Sequence, residues 1–274
     1  MNTRSLKLVA LYIVLTAGAV IMVFPIIWTL VSSFKTPAEI MRIPPTFLPQ
    51  QFTLRNFEQL FETLPFGRYY VNSLIVAITT TLLVLFTSSL GGYLFDKYNF
   101  LGKNLFFILI LANLMVPFEV LLVPLFRISH SFGLVGNYGG LIIPFLVSPF
   151  GLYLMKQFCH EVPNDLIEAA RIDGSSEFGT FFRIMLPLMK PALSALSIFT
   201  FMGNWNSYLW PLVVINSTLM RTLPVGLAAM QSDFGTRYGL IMAGSTLSIW
   251  PVVLLFLVIQ RQFIESLALT GLKG

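Results

Sequence analysis

Six apolar runs, near residues 8–31, 71–95, 105–126, 139–155, 191–215 and 238–260, dominate this sequence. Each approaches the ~20 residues that an α-helix needs to cross the hydrocarbon core of a bilayer. The remainder is too sparsely charged to clothe a soluble fold: 11% of the 274 residues are charged, against about 25% in soluble domains. The sequence therefore predicts an all-α polytopic membrane protein with six transmembrane helices. It argues against a soluble enzyme, a nucleic-acid module and a disordered chain. The net charge of +5 fits, because Lys and Arg collect on the cytoplasmic side of membrane proteins. The single Cys159 cannot close a disulfide within the chain, and His130 and His160 are too far apart in sequence to suggest a zinc site.

The first run follows Arg4 and Lys7 and contains Ala17-Gly18-Ala19, which imitates a signal-peptidase site. It continues well past the 7–15 apolar residues of a signal peptide, so it reads as an uncleaved signal anchor. An even number of spans puts both termini on one side. The short basic connection at 96–104 and the two chain ends make that side the inside, N-in and C-in. The chain then divides into 1–68, the anchor span with an extracytoplasmic segment; 69–260, the transmembrane domain; and 261–274, a cytoplasmic tail. In the outer segment, Pro37, Pro44, Pro45 and Pro49 keep the first half irregular. Leu54, Phe57, Leu60, Phe61 and Leu64 fall at helical spacing and predict a short amphipathic helix over 53–64.

The stretch 156–190, between spans four and five, is too polar to span and too patterned for a linker. Pro163 suits a first helical turn, and Asn164 and Asp165 suit its electropositive start. Leu166-Ile167-Glu168-Ala169-Ala170-Arg171-Ile172 follows, with Gly174 as the expected stop in a left-handed conformation. Ser175 or Ser176 can cap a second helix. There Phe178, Phe181, Phe182 and Met185 form a stripe at i, i+3, i+4, i+7. Pro187 and Pro191 break the chain before span five. The prediction is a helix–turn–helix on the cytoplasmic face, with Leu166, Ala169, Ala170 and Asp173 on one side of its first helix. Such a hairpin either braces the bundle or receives a partner.

Glu168-Ala169-Ala170, Asp173-Gly174 and Ile184-Met185-Leu186-Pro187 resemble the EAA signature of the membrane subunits of binding-protein-dependent ABC importers. Residues 116–124, Gly203-Asn204-Trp205-Asn206, Thr222-Leu223-Pro224-Val225-Gly226 and the ending Thr270-Gly271-Leu272-Lys273-Gly274 are similar to the carbohydrate-uptake branch, of the type of the smaller maltose-system permease. The resemblance covers nearly the whole chain. It implies that 156–190 is the coupling loop, with Glu168, Ala169, Ala170, Asp173 and Gly174 meeting a cleft on a cytoplasmic ATPase. ATP-driven closure of the ATPase pair would then rock two membrane subunits between inward- and outward-facing states.

The partners so implied are a second homologous permease, two ATPase subunits and an extracytoplasmic substrate-binding protein. The setting is a bacterial or archaeal inner membrane, with lipid around the spans and no nucleic acid. In similar permeases the tail also reaches the ATPase; residues 267–274 are either such a contact or a frayed chain end. The chain has no GxxxxGK[ST] phosphate loop: Gly102-Lys103 lacks the earlier glycine and the following Ser or Thr. ATP and Mg are therefore expected on the ATPase partner, no cofactor on this chain, and no enzymatic activity of its own.

Glu119 is the acidic residue placed within a predicted span, between Pro117 and Pro124, where the helix is expected to break. It reads as a gate or substrate-hydroxyl acceptor, or as a structural charge near the interface. Asn204, Trp205 and Asn206 suit either a sugar pathway or helix–helix hydrogen bonding in lipid. Ala243, Gly244, Ser245, Thr246 and Ser248 suit tight helix packing. The expected function is half of a pathway for a sugar or oligosaccharide. Glycerol-phosphate or a polyol is the alternative cargo, although no Lys or Arg interrupts the spans. An ion-coupled secondary carrier would want several mid-membrane carboxylates where Glu119 stands alone, and a membrane scaffold would need no ATPase.

Overall fold

The computed structural model describes the backbone of residues 3–232 and 237–271, and the side chains within 7–231 and 237–260. Every regular element among the described residues is helical. In chain order these are α1 (Thr3–Ser32), α2 (Pro37–Ile40), α3 (Arg55–Thr63), α4 (Phe66–Lys97), α5 (Lys103–Met115), α6 (Phe118–Ser131) and α7 (Tyr138–Phe145). There follow α8 (Pro149–Glu161), α9 (Asn164–Ile172), α10 (Glu177–Leu188), α11 (Lys190–Trp205), α12 (Leu209–Val214), α13 (Leu223–Ser232) and α14 (Tyr238–Gly271). Two compact units are built from them: Met1–Gly67 with Gly226–Pro251, and Arg68–Val225 with Val252–Gly274.

Three described helices are each long and apolar enough to cross a membrane: Lys7–Ser32, Phe66–Lys97 and Tyr238–Gln260. Three helix pairs are long and apolar enough only together, and each is bent: α5 with α6 by 110°, α7 with α8 by 43°, and α10 with α11 by 77°. The third apolar run is therefore not a straight rod. Pro117 forces Val116 into an extended conformation (φ −93°, ψ 118°), whereas Pro124 sits inside α6 without breaking it. The fifth run also divides. Continuing α11 would drive the Pro211 ring against the carbonyl of Ser207, so the helix ends at Trp205 and Pro211 falls in the first turn of α12.

In the first unit, α1 is almost wholly exposed along its apolar length, as a lipid-facing helix is. The following segment is fixed by polar groups rather than left loose. The buried ammonium of Lys35 donates to the Thr46 carbonyl and lies 4.4 Å from the Trp28 ring centroid. The Glu39 carboxylate accepts from the Thr46 hydroxyl (2.7 Å) and the Gln50 N–H (2.8 Å). The expected helix over 53–64 is present as α3, but its buried side is not the apolar stripe alone. Leu60 is buried, Leu54 and Phe61 are exposed, and Asn56 turns inward to donate to the carbonyls of Ser33 and Lys35, each 2.8 Å away. Gly239 makes room for it, since a Cβ there would strike the Asn56 amide. The small-residue cluster packs closely: a Cβ on Gly244 would lie 2.5 Å from Leu227.

In the second unit, polar side chains on α4 tie distant segments together. Asn72 donates to the carbonyls of Leu219 and Arg221 and accepts from the Tyr138 hydroxyl. Thr87 donates to Leu146 (2.7 Å), a carbonyl left free where α7 meets α8. Gly92 lets α8 approach closely, since a Cβ would fall 2.7 Å from the Met155 Cβ and the Lys156 nitrogen. The buried cluster Tyr93, Met155, Cys159, Ile167, Phe181, Met185, Met189, Ala192 and Leu196 joins α4, α8, α9, α10 and α11. A second cluster is centred on Trp210, whose indole N–H donates to the Gly140 carbonyl (2.8 Å). α14 continues past residue 260 to Gly271. The expectation for the tail at 267–274 falls on side chains, and at its end on backbone, outside the described residues.

Candidate functional site

Residues 163–188 form the predicted helical hairpin. Pro163 stands just ahead of α9 (φ −58°, ψ 139°), so that Asn164 opens the helix with Asp165 in its first turn. Gly174 is left-handed (φ +79°). The Ser175 N–H returns to the Ala170 carbonyl (2.9 Å) and the Gly174 N–H to the Arg171 carbonyl (3.0 Å). These two bonds close the Schellman pattern that a C-terminal glycine permits. Ser176, of the two candidate serines, caps α10 by accepting from the Gly179 N–H (3.1 Å). Phe181–Met185 is a π-type turn. Widening there accommodates Pro187, which has no N–H to offer the preceding turn.

A polar clamp closes the hairpin. Arg171 holds Glu177 with two hydrogen bonds, Nε to Oε1 at 2.9 Å and an Nη to Oε2 at 3.2 Å. The Tyr98 hydroxyl also donates to Glu177, and its ring faces the guanidinium at 5.8 Å. The Arg171 guanidinium, helped by the Tyr98 hydroxyl, holds the Glu177 carboxyl below its ordinary value. At the hairpin entrance, the Lys97 ammonium donates to the Val162 carbonyl and to Asn164 Oδ1 (3.0 Å).

The five residues singled out in α9 and its turn divide by burial. Ala170 (5% exposed) faces the core beside Ile167, whereas Glu168, Ala169, Asp173 and Gly174 are exposed. The aromatic stripe of α10 divides too. Phe181 and Met185 are buried in the nine-residue cluster, while Phe178 is 67% exposed and Phe182 is half-exposed. With Leu166 and with Ile172 at 86% exposure, they leave the rigid hairpin with an uncovered apolar rim. Such a rim on a fixed hairpin suits docking. Its buried side is continuous through Met185, Met189 and Leu196 with α11.

The breaks in α5–α6, α7–α8 and after α11 converge on a cavity of about 600 Å³. Asn113, Ser148, Asn204 and Ser207 contribute polar groups, with Phe118 and Phe145 among the apolar walls, and among the described residues no charged side chain lines it. Irregular backbone at membrane depth is tolerated where it lines a cavity. Of the four pathway residues read from the sequence, only Asn204 lines it. Trp205 is buried, stacked on Phe201 and edge-on to Tyr70. Asn206 is exposed, and Glu119 lies in the first turn of α6 just past the bend, exposed in this chain. Ser148 and Ser207 could have been found in the sequence: Pro144, Pro149 and Pro211 signal interrupted helix around them.

A family model described as binding-protein-dependent transport system inner membrane component matches residues 88–268. The chain is 42% identical to the arabinooligosaccharides transport system permease protein AraQ of Halalkalibacterium halodurans, over 93% of each protein. It is 33% identical to the lactose transport system permease protein LacG of Rhizobium radiobacter, over 96% of each. It is 32% identical to the sn-glycerol-3-phosphate transport system permease protein UgpE of Yersinia pestis, over 97% of each. Its fold matches, with TM-score 0.85 and 22% identity, a chain of a bacterial ABC transporter involved in the import of the acidic polysaccharide alginate, covering 96% of this chain and 99% of that one.

Proposed function

The chain belongs to the family of binding-protein-dependent transport system inner membrane components, and from that membership we propose its cargo, partners and coupling. It is a permease subunit of an ABC importer, a transport component rather than an enzyme. In our reading the cargo is a sugar or oligosaccharide. The observation that carries this choice is the cavity lining: amides and hydroxyls beside aromatic walls, with no Lys or Arg among the described residues there to neutralise a phosphate ester. The 42% identity to an arabinooligosaccharide permease supports it over the 32% identity to a glycerol-phosphate one.

The proposed assembly pairs this chain with a second permease, two ATPase subunits and an extracytoplasmic binding protein, in a bacterial or archaeal inner membrane. Six spans run N-in and C-in, the third (α5–α6) and fourth (α7–α8) bent and the fifth divided between α11 and α12, and the 163–188 hairpin, including α10, faces the cytoplasm. Glu168, Ala169, Asp173 and Gly174, with the exposed rim, meet the ATPase, while Ala170 backs them from the core. Closure of the ATPase pair pushes on a lever stiffened by the Schellman turn and the Arg171–Glu177 clamp. The push passes through the buried cluster to α11, which carries Asn204 at the cavity. Glu119 stands at the mouth of the α5–α6 bend as a pathway residue.

The test is reconstitution with the cognate ATPase, partner permease and binding protein in vesicles. Labelled arabinooligosaccharide should enter in an ATP-dependent manner, and Glu168→Lys should abolish both uptake and co-purification of the ATPase. Uptake of glycerol-phosphate with no sugar uptake would replace the proposed cargo. ATPase retention unaffected by Glu168→Lys would remove the hairpin from the mechanism.

A further inference from the structure

A second pocket, of about 460 Å³, lies where the end of α4, the start of α5 and the end of α8 meet. Its charge is unbalanced. Lys97, Lys103, Lys156 and His160 line it against one carboxylate, Asp96. That carboxylate is already engaged: Oδ2 is 3.1 Å from Lys97 Nζ and Oδ1 is 3.1 Å from His160 Nδ1. Lys97 uses its remaining donors on Val162 and Asn164.

Lys103 and Lys156 differ from Lys97. Neither has a carboxylate within 4.0 Å among the described residues. Lys103 reaches only the Asp96 carbonyl (3.3 Å) and Asn99 Oδ1 (3.5 Å). Lys156 rests over the Phe107 ring at 4.7 Å. Two part-buried ammonium groups thus share one pocket with donors to spare. The pocket also lies at the end of a helix long and apolar enough to cross a membrane, since the 32-residue α4 ends at Lys97. Beside it, Leu105, Phe106 and Ile108 of α5 are exposed. A charged pocket with an apolar skirt matches a lipid, with its headgroup phosphate in the pocket and its acyl chain along α5.

We propose that this pocket binds the phosphate of an anionic glycerophospholipid, with Lys103 and Lys156 as its contacting cations and Leu105, Phe106 and Ile108 as the acyl-chain track. The site does not depend on which side of the membrane it faces, on the cargo or on any ATPase. Occupancy bears on the hairpin, because Lys97, in the pocket wall, also donates to the Val162 carbonyl and to Asn164, the first residue of α9.

The experiment uses the full chain purified in a neutral detergent. Native mass spectrometry reads co-purifying lipid, and thermal unfolding is followed against mixed micelles of phosphatidylglycerol or phosphatidylcholine. The wild type should retain phosphatidylglycerol or cardiolipin and be stabilised more by phosphatidylglycerol than by phosphatidylcholine. Lys103→Gln/Lys156→Gln should weaken that preference by roughly fivefold per lysine. Lys103→Arg/Lys156→Arg should keep it, and Lys190→Gln, outside the pocket, should not change it. If the double Gln variant does not fold, Lys156→Gln alone gives the reading. An unchanged preference in the Gln variants, or none in the wild type, overturns the site. Inorganic phosphate that stabilises as well as phosphatidylglycerol overturns the lipid assignment.

Discussion

Lys97 reaches across 65 residues of sequence to place its ammonium 2.7 Å from the carbonyl oxygen of Val162, so the last turn of α4 holds the entrance to the hairpin. Lys97→Met would free that carbonyl and leave Asp96, a buried acid, without its lysine. The expected loss is about 1–3 kcal/mol, read as a lower thermal midpoint in detergent. Asp96→Asn/Lys97→Met should recover part of the loss, because removing both partners costs less than orphaning one.

Gly174→Ala should cost about 1–2 kcal/mol, because L-residues are strained in the left-handed region. Gly174→Asn should cost less. The effect is conformational, not steric, since a Cβ at Gly174 meets nothing within 4 Å. Stability and ATP-dependent uptake should fall together across the series Gly, Asn, Ala, Val. A Gly174→Val protein with full uptake would separate the turn from transport.

The Arg171–Glu177 clamp carries a pH signature. Glu177 has a lowered pKa, chiefly through its hydrogen bonds with Arg171. Its contribution is therefore complete above the ordinary carboxylate value of ~4.5 and fades as pH falls through the lowered one. Acid titration of wild type against Glu177→Gln should show the two stabilities converging below that point. Both partners are exposed, so the difference should be small and should shrink in high salt.

Gly92 marks a close approach of α8 to α4, with Lys156 N, Met155 C and Met155 Cβ each 2.7 Å from where its Cβ would lie. Gly92→Ala should destabilise by about 1–3 kcal/mol through overpacking. Gly203→Ala, where a Cβ meets nothing, should be neutral or stabilising. Paired unfolding curves check both.

On the hairpin rim, Ile172→Ser and Phe178→Ser should leave the chain's own unfolding midpoint unchanged, because both side chains are largely exposed. Each should weaken ATPase binding about tenfold or more, as expected for removing a large apolar side chain from an interface. Co-purification yield and ATPase stimulation would measure this.

The parts of the fold that follow from local chemistry were legible. Six apolar runs marked the helices, Gly174 marked the turn, and Pro117 marked the bend. What escaped was set by contacts distant in sequence. Asn56 looks like a surface residue until two carbonyls 21 and 23 residues away claim its amide. The 110° between α5 and α6 depends on what packs in the bend, which no local pattern encodes. The same holds at the site: Glu168 and Ala169 stood out as a motif, but the inward turn of Ala170 and the division of the phenylalanine stripe depend on the neighbouring α4 and α8. Trp205 suited either a pathway or helix packing in the sequence, and it is distant partners that set its place: its ring stacks on Phe201 and meets Tyr70 edge-on.

The bare side chains of Ile172 and Phe178 also bear on supply. A copy synthesised without the proposed ATPase partner offers greasy surface to every other such copy, and self-association and quality-control proteolysis follow from that exposure. Overproducing this subunit alone should therefore yield aggregates and fragments, with intact yield tracking the dose of the protein that covers the rim.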